Sequence, residues 1–579
     1  MGERYSRFNL LDEPWISVLV DEAGTTRDVS LLDLFKNAHL YKELAGDMRT
    51  QDFAVLRVLL AVLHTVFSRV DANGYCYEYF ELDNSFLPSN AVDKDEVDDY
   101  KDDLMDTWKE LWQKGRFPAC VTDYLEAWRD RFYLYDTDYP FFQVRKEDIN
   151  QDKHSANGKG IGVVWGKEFN RQISESANKA ALFSPNCEVD NNKERLFDAD
   201  VARWLITYQN YTGQGGKVKY KTVSEGSAGW LYSLGGIYYK GNNLFDTLML
   251  NCILPYEPYG NLLTSQKPCW EYSSKEILDL YLNKKVVTNL TALYTVWSRA
   301  IFIDSQFVSN SKFYAYPEKL PKVEREDMFL EPMTLWRFNK SGESKNKFTP
   351  KKHVIDQSLW RSFGLLAKVN FSDVNNGVGQ HLPGIINWMQ DIKGVVKEKI
   401  NEPIICAVSM KDDGNATSWS PVDEILDILA INEFVLTDVV ETGWVNRIND
   451  VVQQTSHVIE KIYGSYLNGV KAIRYGDGKS DFVSIRKEEV YAGIDQPFRN
   501  WLGLISYNDD KDEKMIEWRK ILKELVKTAA KELTYAGNTR DYKGKKNENK
   551  EQVENIATLY NQFLWRLNKE LDVKEGDAV

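Results

Sequence analysis

The C-terminal part of the chain places apolar residues three and four positions apart, which is the spacing of amphipathic helices. Three such stripes lie in residues 440–466, 515–533 and 553–571. A fourth helical segment, 485–506, is interrupted at Gln496-Pro497. Four helices with short polar connections predict an antiparallel four-helix bundle over residues 437–579.

Residues 1–420 have a different pattern, in which short β-rich runs are mixed with helices and many loops. Strands are predicted at 15–20, 132–135 and 404–410, and helices at 51–69, 99–114, 121–131, 198–209 and 288–300. Because neither a regular βαβ order nor an even run of hairpins is present, this part is predicted to be a large irregular α+β domain. The composition changes after Trp419, and residues 421–436 are predicted to link this domain to the bundle.

The composition indicates a protein with a large packed core. The chain has 579 residues, of which 43% are hydrophobic, and its 17 Trp, 31 Tyr and 26 Phe exclude a mostly disordered protein. Its formal net charge of −13 argues against a protein that wraps nucleic acid over its whole surface. Any nucleic-acid contact is therefore expected in local basic patches, with other subunits neutralising most of the phosphates.

Cysteines and histidines show no pattern of a disulfide framework, a metal site or an active site. The six cysteines include no CxxC pair, and the six histidines form no HxH, HExxH or Ser/His/Asp arrangement. His64 and His457 lie within apolar helical stretches and are predicted to be core residues. We therefore expect no metal, no cofactor and no enzymatic activity. A hydrolase with a site built from scattered carboxylates is the alternative.

The sequence also lacks the signals of export or membrane insertion. Residues 1–7 contain no apolar segment of a signal peptide, and the longest apolar run, 53–67, is shorter than the roughly 20 residues that cross a bilayer. Isolated cysteines are typical of a reducing compartment. We expect a cytoplasmic protein without a membrane partner.

A glycine-rich stretch between residues 211 and 221 is the strongest candidate for contact with a ligand. Gly213, Gly215 and Gly216 would let the backbone approach a ligand more closely than residues with a Cβ atom allow. Alternating lysines would line one face of an extended strand and meet phosphates. These lysines are Lys217, Lys219 and Lys221. A Walker A loop is excluded, because Val218 stands where Ser or Thr is required. From the residues alone, an ordinary glycine-rich turn beside an exposed strand is the favoured interpretation, and only the resemblance given below favours contact with DNA.

Residues 8–20, with the sequence FNLLDEPWISVLV, resemble the opening of the large subunit of type I-E CRISPR Cascade, the CasA family. Three further places agree with that family in order and approximate spacing. They are residues 132–143 (FYLYDTDYPFFQ), the glycine-rich stretch that follows a helix, and the C-terminal bundle. The resemblance therefore covers nearly the whole chain.

The resemblance implies a non-catalytic subunit of an RNA-guided antiviral surveillance complex. Such a subunit recognises the protospacer-adjacent motif in double-stranded DNA, helps to open the duplex into an R-loop and recruits a helicase-nuclease. Its partners would be the crRNA-containing Cascade subunits, the target DNA with its displaced strand, and the helicase-nuclease. The alternative is a purely structural scaffold subunit without direct DNA readout.

The resemblance also implies roles for particular loops. The glycine-rich stretch would press into the minor groove at the motif, where readout depends on shape. A second loop would contact the motif duplex and the start of the guide RNA through Phe183 and Asn186. A hairpin wedge that separates the first base pairs would correspond to Asn415 with Ala416, and the reach of Asn415 is shorter by one methylene than that of the Gln common in the family.

Two groups of lysines are further candidates for DNA contact. Lys319 and Lys322 bracket the place where the family carries a lysine finger that enters the minor groove. A run of five lysines follows, opposed only by Glu343. The run consists of Lys340, Lys345, Lys347, Lys351 and Lys352. A solvated loop and a phosphate track for DNA are the two interpretations of this run.

Overall fold

The computed structural model describes residues 8–150, 162–169, 196–213, 218–221, 223, 225–258, 265–304, 313–367, 380–400, 402–412, 421–476, 478–547 and 552–572. The chain divides into two compact units. The first comprises Met1–His353, Pro383–Ile400 and Ile405–Asp427, and the second comprises Val354–Leu382, Asn401–Ile404 and Ile428–Val579. Residues 421–436, for which the sequence predicts a linker, contain a strand and most of a short helix.

Helices and strands are mixed along the chain, as the sequence pattern predicts. The helices are α1 (Leu31–Asn37), α2 (Arg49–Phe67), α3 (Val97–Lys114), α4 (Cys120–Ala127), α5 (Gly166–Phe169), α6 (Asp198–Tyr211), α7 (Leu244–Asn251), α8 (Ser274–Leu282), α9 (Leu290–Tyr294), α10 (Phe363–Leu366), α11 (Gly384–Val396), α12 (Phe434–Thr437), α13 (Trp444–His457), α14 (Gly464–Tyr475), α15 (Phe482–Gly503), α16 (Lys511–Tyr535), α17 (Thr539–Lys543) and α18 (Ile556–Leu571). The strands are β1 (Ile16–Leu19), β2 (Thr26–Val29), β3 (Glu43–Leu44), β4 (Val164–Trp165), β5 (Gly236–Lys240), β6 (Arg299–Ile303), β7 (Tyr314–Lys319), β8 (Trp336–Phe338), β9 (Phe348–Pro350), β10 (Ile404–Asp412), β11 (Pro421–Ala430), β12 (Lys545–Asn547) and β13 (Gln552–Glu554).

The strands form small separate sheets. The strand orders, for the described part of the chain, are β2-β1-β3, β4-β7-β6, β11-β10-β5, β8-β9 and β12-β13. In the β4-β7-β6 sheet, β6 and β7 are antiparallel, with Arg299 opposite Lys319 at one end and Ile303 opposite Ala315 at the other. This register puts the end of β7 beside the start of β6, where the candidate site lies.

Helix α2 is the core of the first unit. Every residue from Thr50 to Phe67 is buried. The helix has the length and apolar composition that a membrane span would need, and its whole apolar window is buried inside the fold, as in the core helix of a soluble protein. Its one arginine within the apolar run, Arg57, donates two hydrogen bonds of 2.7 Å to the carboxylate of Glu331. A buried charge is tolerated because it is paired and hydrogen-bonded.

Most of the predicted elements of residues 1–420 are confirmed within a few residues. Helices at 51–69, 99–114, 121–131 and 198–209 and strands at 15–20 and 404–410 correspond to α2, α3, α4, α6, β1 and β10. Residues 132–135 form no strand, since Tyr133 makes only an isolated bridge to Asn9. The helix predicted at 288–300 ends at Tyr294, because pairing with β7 draws the residues from Arg299 onward into a sheet.

The C-terminal region is helical. Helix α13 continues through a π-helical segment, Val458–Tyr463, into α14. Helix α16 packs against α13, α15 and α18, and α14 packs against α15 and α18. The prediction is wrong for the outermost residue of two apolar stripes. Val440 precedes α13 and is 60% exposed, and Val553 lies in β13 and is 54% exposed.

The predicted interruption at Gln496-Pro497 is also wrong, because α15 continues through Pro497. A proline removes one backbone N–H and crowds the preceding turn. Phe498, the next residue, is fully buried and stacks on Trp360 with ring centroids 4.2 Å apart. Ile494 and Trp501 on the same helix are buried as well. Packing of this face therefore outweighs the local cost of the proline.

Candidate nucleic-acid interface

Residues 213–227 follow α6 and are here called the glycine segment. The residues next to its two ends meet beside the end of that helix. The backbone N–H of Gly229 donates to the carbonyl of Thr212 with an N···O distance of 2.8 Å. Gly213 itself is buried. The two ends of the segment are therefore held together by the backbone next to them.

Residues 218–220 of the glycine segment pair with the end of β7. The N–H of Lys319 donates to the carbonyl of Val218, and the N–H of Tyr220 donates to the carbonyl of Lys319, each at 3.0 Å. Lys219 thus forms a parallel bridge with Lys319. Val218 and Tyr220 are buried and Lys219 is exposed, as the alternation of side chains in extended chain requires. The structure brings together two predicted site residues that are 100 positions apart.

The segment then turns and flanks Lys319 from its other side. The N–H of Ser227 donates to the carbonyl of Leu320 at 2.9 Å, and Gly226 forms an antiparallel bridge with Pro321. A Cβ atom built on Gly226 would lie only 2.9 Å from the Cβ atom of Lys319. The absence of a side chain at position 226 therefore makes room for the lysine.

Lys221 does not continue the extended strand that the sequence predicts. Its φ of 48° is left-handed, which is uncommon for a residue with a Cβ atom. The N–H of Val223 donates to the carbonyl of Tyr220, so the chain turns here. The ammonium of Lys221 folds back to 5.2 Å from the centre of the Tyr220 ring. Lys219 and Lys221 therefore do not extend along one continuous strand face, and this part of the prediction is wrong.

Lys319 stands in a cationic environment. Partial burial is the largest cause that lowers its pKa, and the charges of Arg299 and Lys219 lower it further. Lys322, the other candidate for the finger, is exposed and lies 3.3 Å from the carboxylate of Glu324. An anionic ligand would relieve the repulsion at Lys319 most directly, because opposite charge favours the charged ammonium.

Arg299 is a residue of this site that the sequence prediction missed. It is 2% exposed, and its guanidinium donates to the carbonyls of Gly213 at 2.7 Å, Ser298 at 2.9 Å and Ser227. Burial lowers its pKa. The signal in the sequence was a single cation at the start of the apolar run Ala300–Ile303, which the helix predicted at 288–300 concealed.

Part of the lysine run at 340–352 is neutralised in the fold. Lys347 forms an ion pair with Glu326. The ammonium of Lys352 lies 3.2 Å from Asp412 and 4.1 Å from the centre of the Tyr232 ring. These two lysines are therefore held by carboxylates of the fold, which argues against a phosphate track that uses them.

Several predicted site residues lie outside the described part of the chain. They are Phe183, Asn186, Gly215, Gly216, Lys217, Asn415 and Ala416. The flanks of the predicted wedge are described, since β10 ends at Asp412 and β11 begins at Pro421.

The described residues contain no group of three or more His, Cys, Asp or Glu side chains that could hold a metal ion. His64 is a core residue as predicted: its Nδ1 lies 2.8 Å from the carbonyl of Leu60, and burial lowers its pKa to about 4. His457 is not a core residue. Its side chain is 52% exposed and lies 4.0 Å from Glu570, because it faces away from the buried stripe of α13.

Comparison with known proteins connects this fold to one family. The family described as CRISPR-associated protein Cse1 matches residues 9–529, which is most of the chain. A Thermus thermophilus protein named CRISPR-associated protein CasA/Cse1 is 26% identical over 364 residues. That alignment spans 62% of this chain and 60% of the relative.

Solved structures share the fold over nearly the full length. The crystal structure of Thermobifida fusca Cse1 superposes with a TM-score of 0.75 at 23% identity and covers 97% of this chain and 98% of that one. A chain of a structure entitled CRISPR RNA-guided surveillance complex superposes with a TM-score of 0.64 at 14% identity, covering 97% and 99% of the two chains. At these identities the structures establish the shared fold.

Proposed function

The chain belongs to the CRISPR-associated Cse1 family, the large subunit of type I-E Cascade, and from this premise we propose a function in target-DNA recognition. The protein acts as a non-catalytic subunit of an RNA-guided surveillance complex. It recognises the protospacer-adjacent motif in double-stranded DNA through the glycine segment and the lysines beside it. It then helps to open the duplex and recruits the helicase-nuclease.

The bridge between Lys219 and Lys319 is the observation that carries this proposal. Two cations from distant parts of the chain stand side by side, next to a backbone that is rich in glycine. Cations supply the phosphate contacts of a DNA-binding protein, and side-chain-free backbone approaches a groove closely. Minor-groove readout distinguishes base pairs poorly and depends on groove shape, which suits a subunit that reads a short motif.

The acidic net charge is consistent with a complex in which the guide RNA and the protein read different parts of the target. In an RNA-guided complex, pairing with the guide reads the sequence, and protein reads a short duplex element and the backbone. A chain with a net charge of −13 needs only a local cationic site for that task. Other subunits of the complex neutralise the remaining phosphates.

We also propose partners for the protein and a role for its second unit. The partners are crRNA-containing Cascade subunits, target DNA with its displaced strand, and the helicase-nuclease effector, all in the cytoplasm and without a membrane. Residues 415 and 416 contribute to strand separation. The C-terminal helices form an antiparallel four-helix bundle that contacts neighbouring subunits and the displaced strand. The packing of α16 against α13, α15 and α18 supports such a bundle.

Replacement of both bridge lysines tests the proposal. Lys219→Ala combined with Lys319→Ala, in the assembled complex, is expected to weaken binding to a duplex that carries the motif. The logarithm of the binding constant decreases linearly with the logarithm of the salt concentration. The steepness of this line should fall by about 1 for each phosphate that the variant no longer neutralises. The control, Lys36→Ala with Lys275→Ala, removes two charges from exposed positions of α1 and α8. Unchanged motif-dependent binding together with intact assembly would favour the scaffold role instead.

A further inference from the structure

We propose that Arg299 is a positioning residue for motif recognition, which sets the place of the Lys219–Lys319 bridge from inside the fold. This inference rests on the proposed function. Arg299 does not reach the surface, since it is 2% exposed. Its effect on DNA is therefore indirect, through the residues it holds.

The guanidinium of Arg299 ties both ends of the glycine segment to one point. Its Nη2 donates to the carbonyl of Gly213 at 2.7 Å, where the segment begins, and its Nη1 donates to the carbonyl of Ser227, where the segment ends. The planar guanidinium presents its donors in a rigid fork, so the two carbonyls are held in a defined relation to each other. A lysine has a single ammonium on a flexible stem and does not reproduce this geometry.

The backbone of Arg299 is fixed in turn by Gln209 of α6. The Gln209 side-chain carbonyl accepts from the N–H groups of Ser298 at 2.9 Å and Arg299 at 3.0 Å. Its amide donates to the carbonyl of Arg299 at 3.0 Å. Gln209 is fully buried. The end of α6, the start of β6 and both ends of the glycine segment therefore form one hydrogen-bonded junction.

Arg299 also stands in register with the two lysines. It lies directly opposite Lys319 in the β6–β7 pair, and Lys319 bridges to Lys219 in the next extended segment. Directly opposed residues of an antiparallel pair share one face of the sheet. Three neighbouring segments thus contribute one cation each, in a row that runs from the buried Arg299 to the exposed Lys219. The row places positive potential behind the two lysines that would meet phosphate.

The variant Arg299→Lys tests this role because it keeps the charge and removes the fork. We expect discrimination between a duplex with the motif and one without it to fall about tenfold, the size of one misplaced recognition contact. The matched control is Arg69→Lys. Arg69 is equally buried and also donates to backbone carbonyls, those of Phe86 and Gln266, besides its pair with Glu271. None of these partners belongs to the described residues of the glycine segment. Thermal unfolding of both variants measures the general loss of stability.

A double-mutant cycle separates positioning from destabilisation. If Arg299 acts through Lys319, then Arg299→Lys should have no further effect on discrimination once Lys319→Ala is present. Additive losses, or equal losses in the Arg69→Lys control, would overturn the positioning role. If Lys219→Ala with Lys319→Ala leaves discrimination unchanged, the proposed function fails. If that double variant loses discrimination and Arg299→Lys does not, only the positioning role fails.

Discussion

Gly226 lies directly against the side chain of Lys319, with no room for a Cβ atom between them. The nearest rigid atom, the Cβ of Lys319, would be 2.9 Å from a new methyl group. Because the Cβ position is set by the backbone of β7, the contact cannot be relieved by rotation of the lysine alone. The position of Lys319 thus depends on a glycine more than 90 residues away in the chain.

The variant Gly226→Ala is therefore expected to weaken motif-dependent binding without changing any charge. The methyl group would displace Lys319 or separate the glycine segment from β7, so affinity should fall, and the salt dependence should weaken where Lys319 no longer meets its phosphate. Gly394→Ala in α11 is the control, because nothing lies within 4 Å of its new methyl group. Equal DNA affinities of the two variants would show that the placement of Lys319 does not matter.

The buried ion pair of Arg57 and Glu331 gives a prediction for stability. Glu331 is fully buried and accepts two hydrogen bonds of 2.7 Å from Arg57 and one of 2.6 Å from the indole of Trp230. Glu331→Ala leaves the arginine charge buried without this partner. The free energy of unfolding should drop by about 3–5 kcal/mol, measured by chemical denaturation. Glu343→Ala, at an exposed position of the β8–β9 turn, should change it by less than about 0.5 kcal/mol.

Asp52 gives a prediction for pH dependence. Burial raises its pKa to about 6, against the opposing effects of the Gly46 N–H and Arg49. Between pH of about 4 and 6 the folded protein keeps a proton that the unfolded chain has lost, so this group stabilises the fold at low pH and its contribution is lost as pH rises to 6. Asn at this position cannot titrate.

The stability difference between the natural protein and Asp52→Asn should therefore change by about 3 kcal/mol over that interval, with the natural protein losing stability as pH rises. Denaturant unfolding at a series of pH values measures this difference. A difference that stays constant from pH 4 to 7 would show that the carboxyl is not the titrating group.

Glu424 caps the core helix from a distant strand. Its carboxylate accepts from the N–H and the hydroxyl of Thr50 at 2.9 and 3.0 Å and from the N–H of Arg49 at 3.3 Å, while Met48 at the N-cap position supplies no side-chain hydrogen bond. Glu424→Ala should destabilise the protein by about 1–2 kcal/mol, as the loss of a cap does. Glu424→Gln should retain part of this stability. The control is Asp423→Asn at the exposed neighbouring position. An equal loss of stability in this control would argue against capping by Glu424.

The local sequence pattern was sufficient to predict helices whose backbone hydrogen bonds are made within the helix itself. The apolar spacing predicted α2, α3 and α6 within a few residues, because helical hydrogen bonds join neighbours in the sequence. It failed at 288–300, where the partner of Arg299 is Lys319 on another strand. It also failed at Pro497, where contacts with Trp360 keep the helix intact.

For the candidate site, the residue types and the family could be recognised without any coordinates. The glycines, Lys219 and Lys319 were all identified as candidates, since their chemistry does not depend on the fold. Only the folded chain makes Lys219 and Lys319 neighbours. Folding also brings Arg299 and Gln209 to the junction that holds the two ends of the glycine segment. Strand pairing between distant segments depends on register, and register is set by burial and hydrogen bonding over the whole sheet rather than by nearby residues.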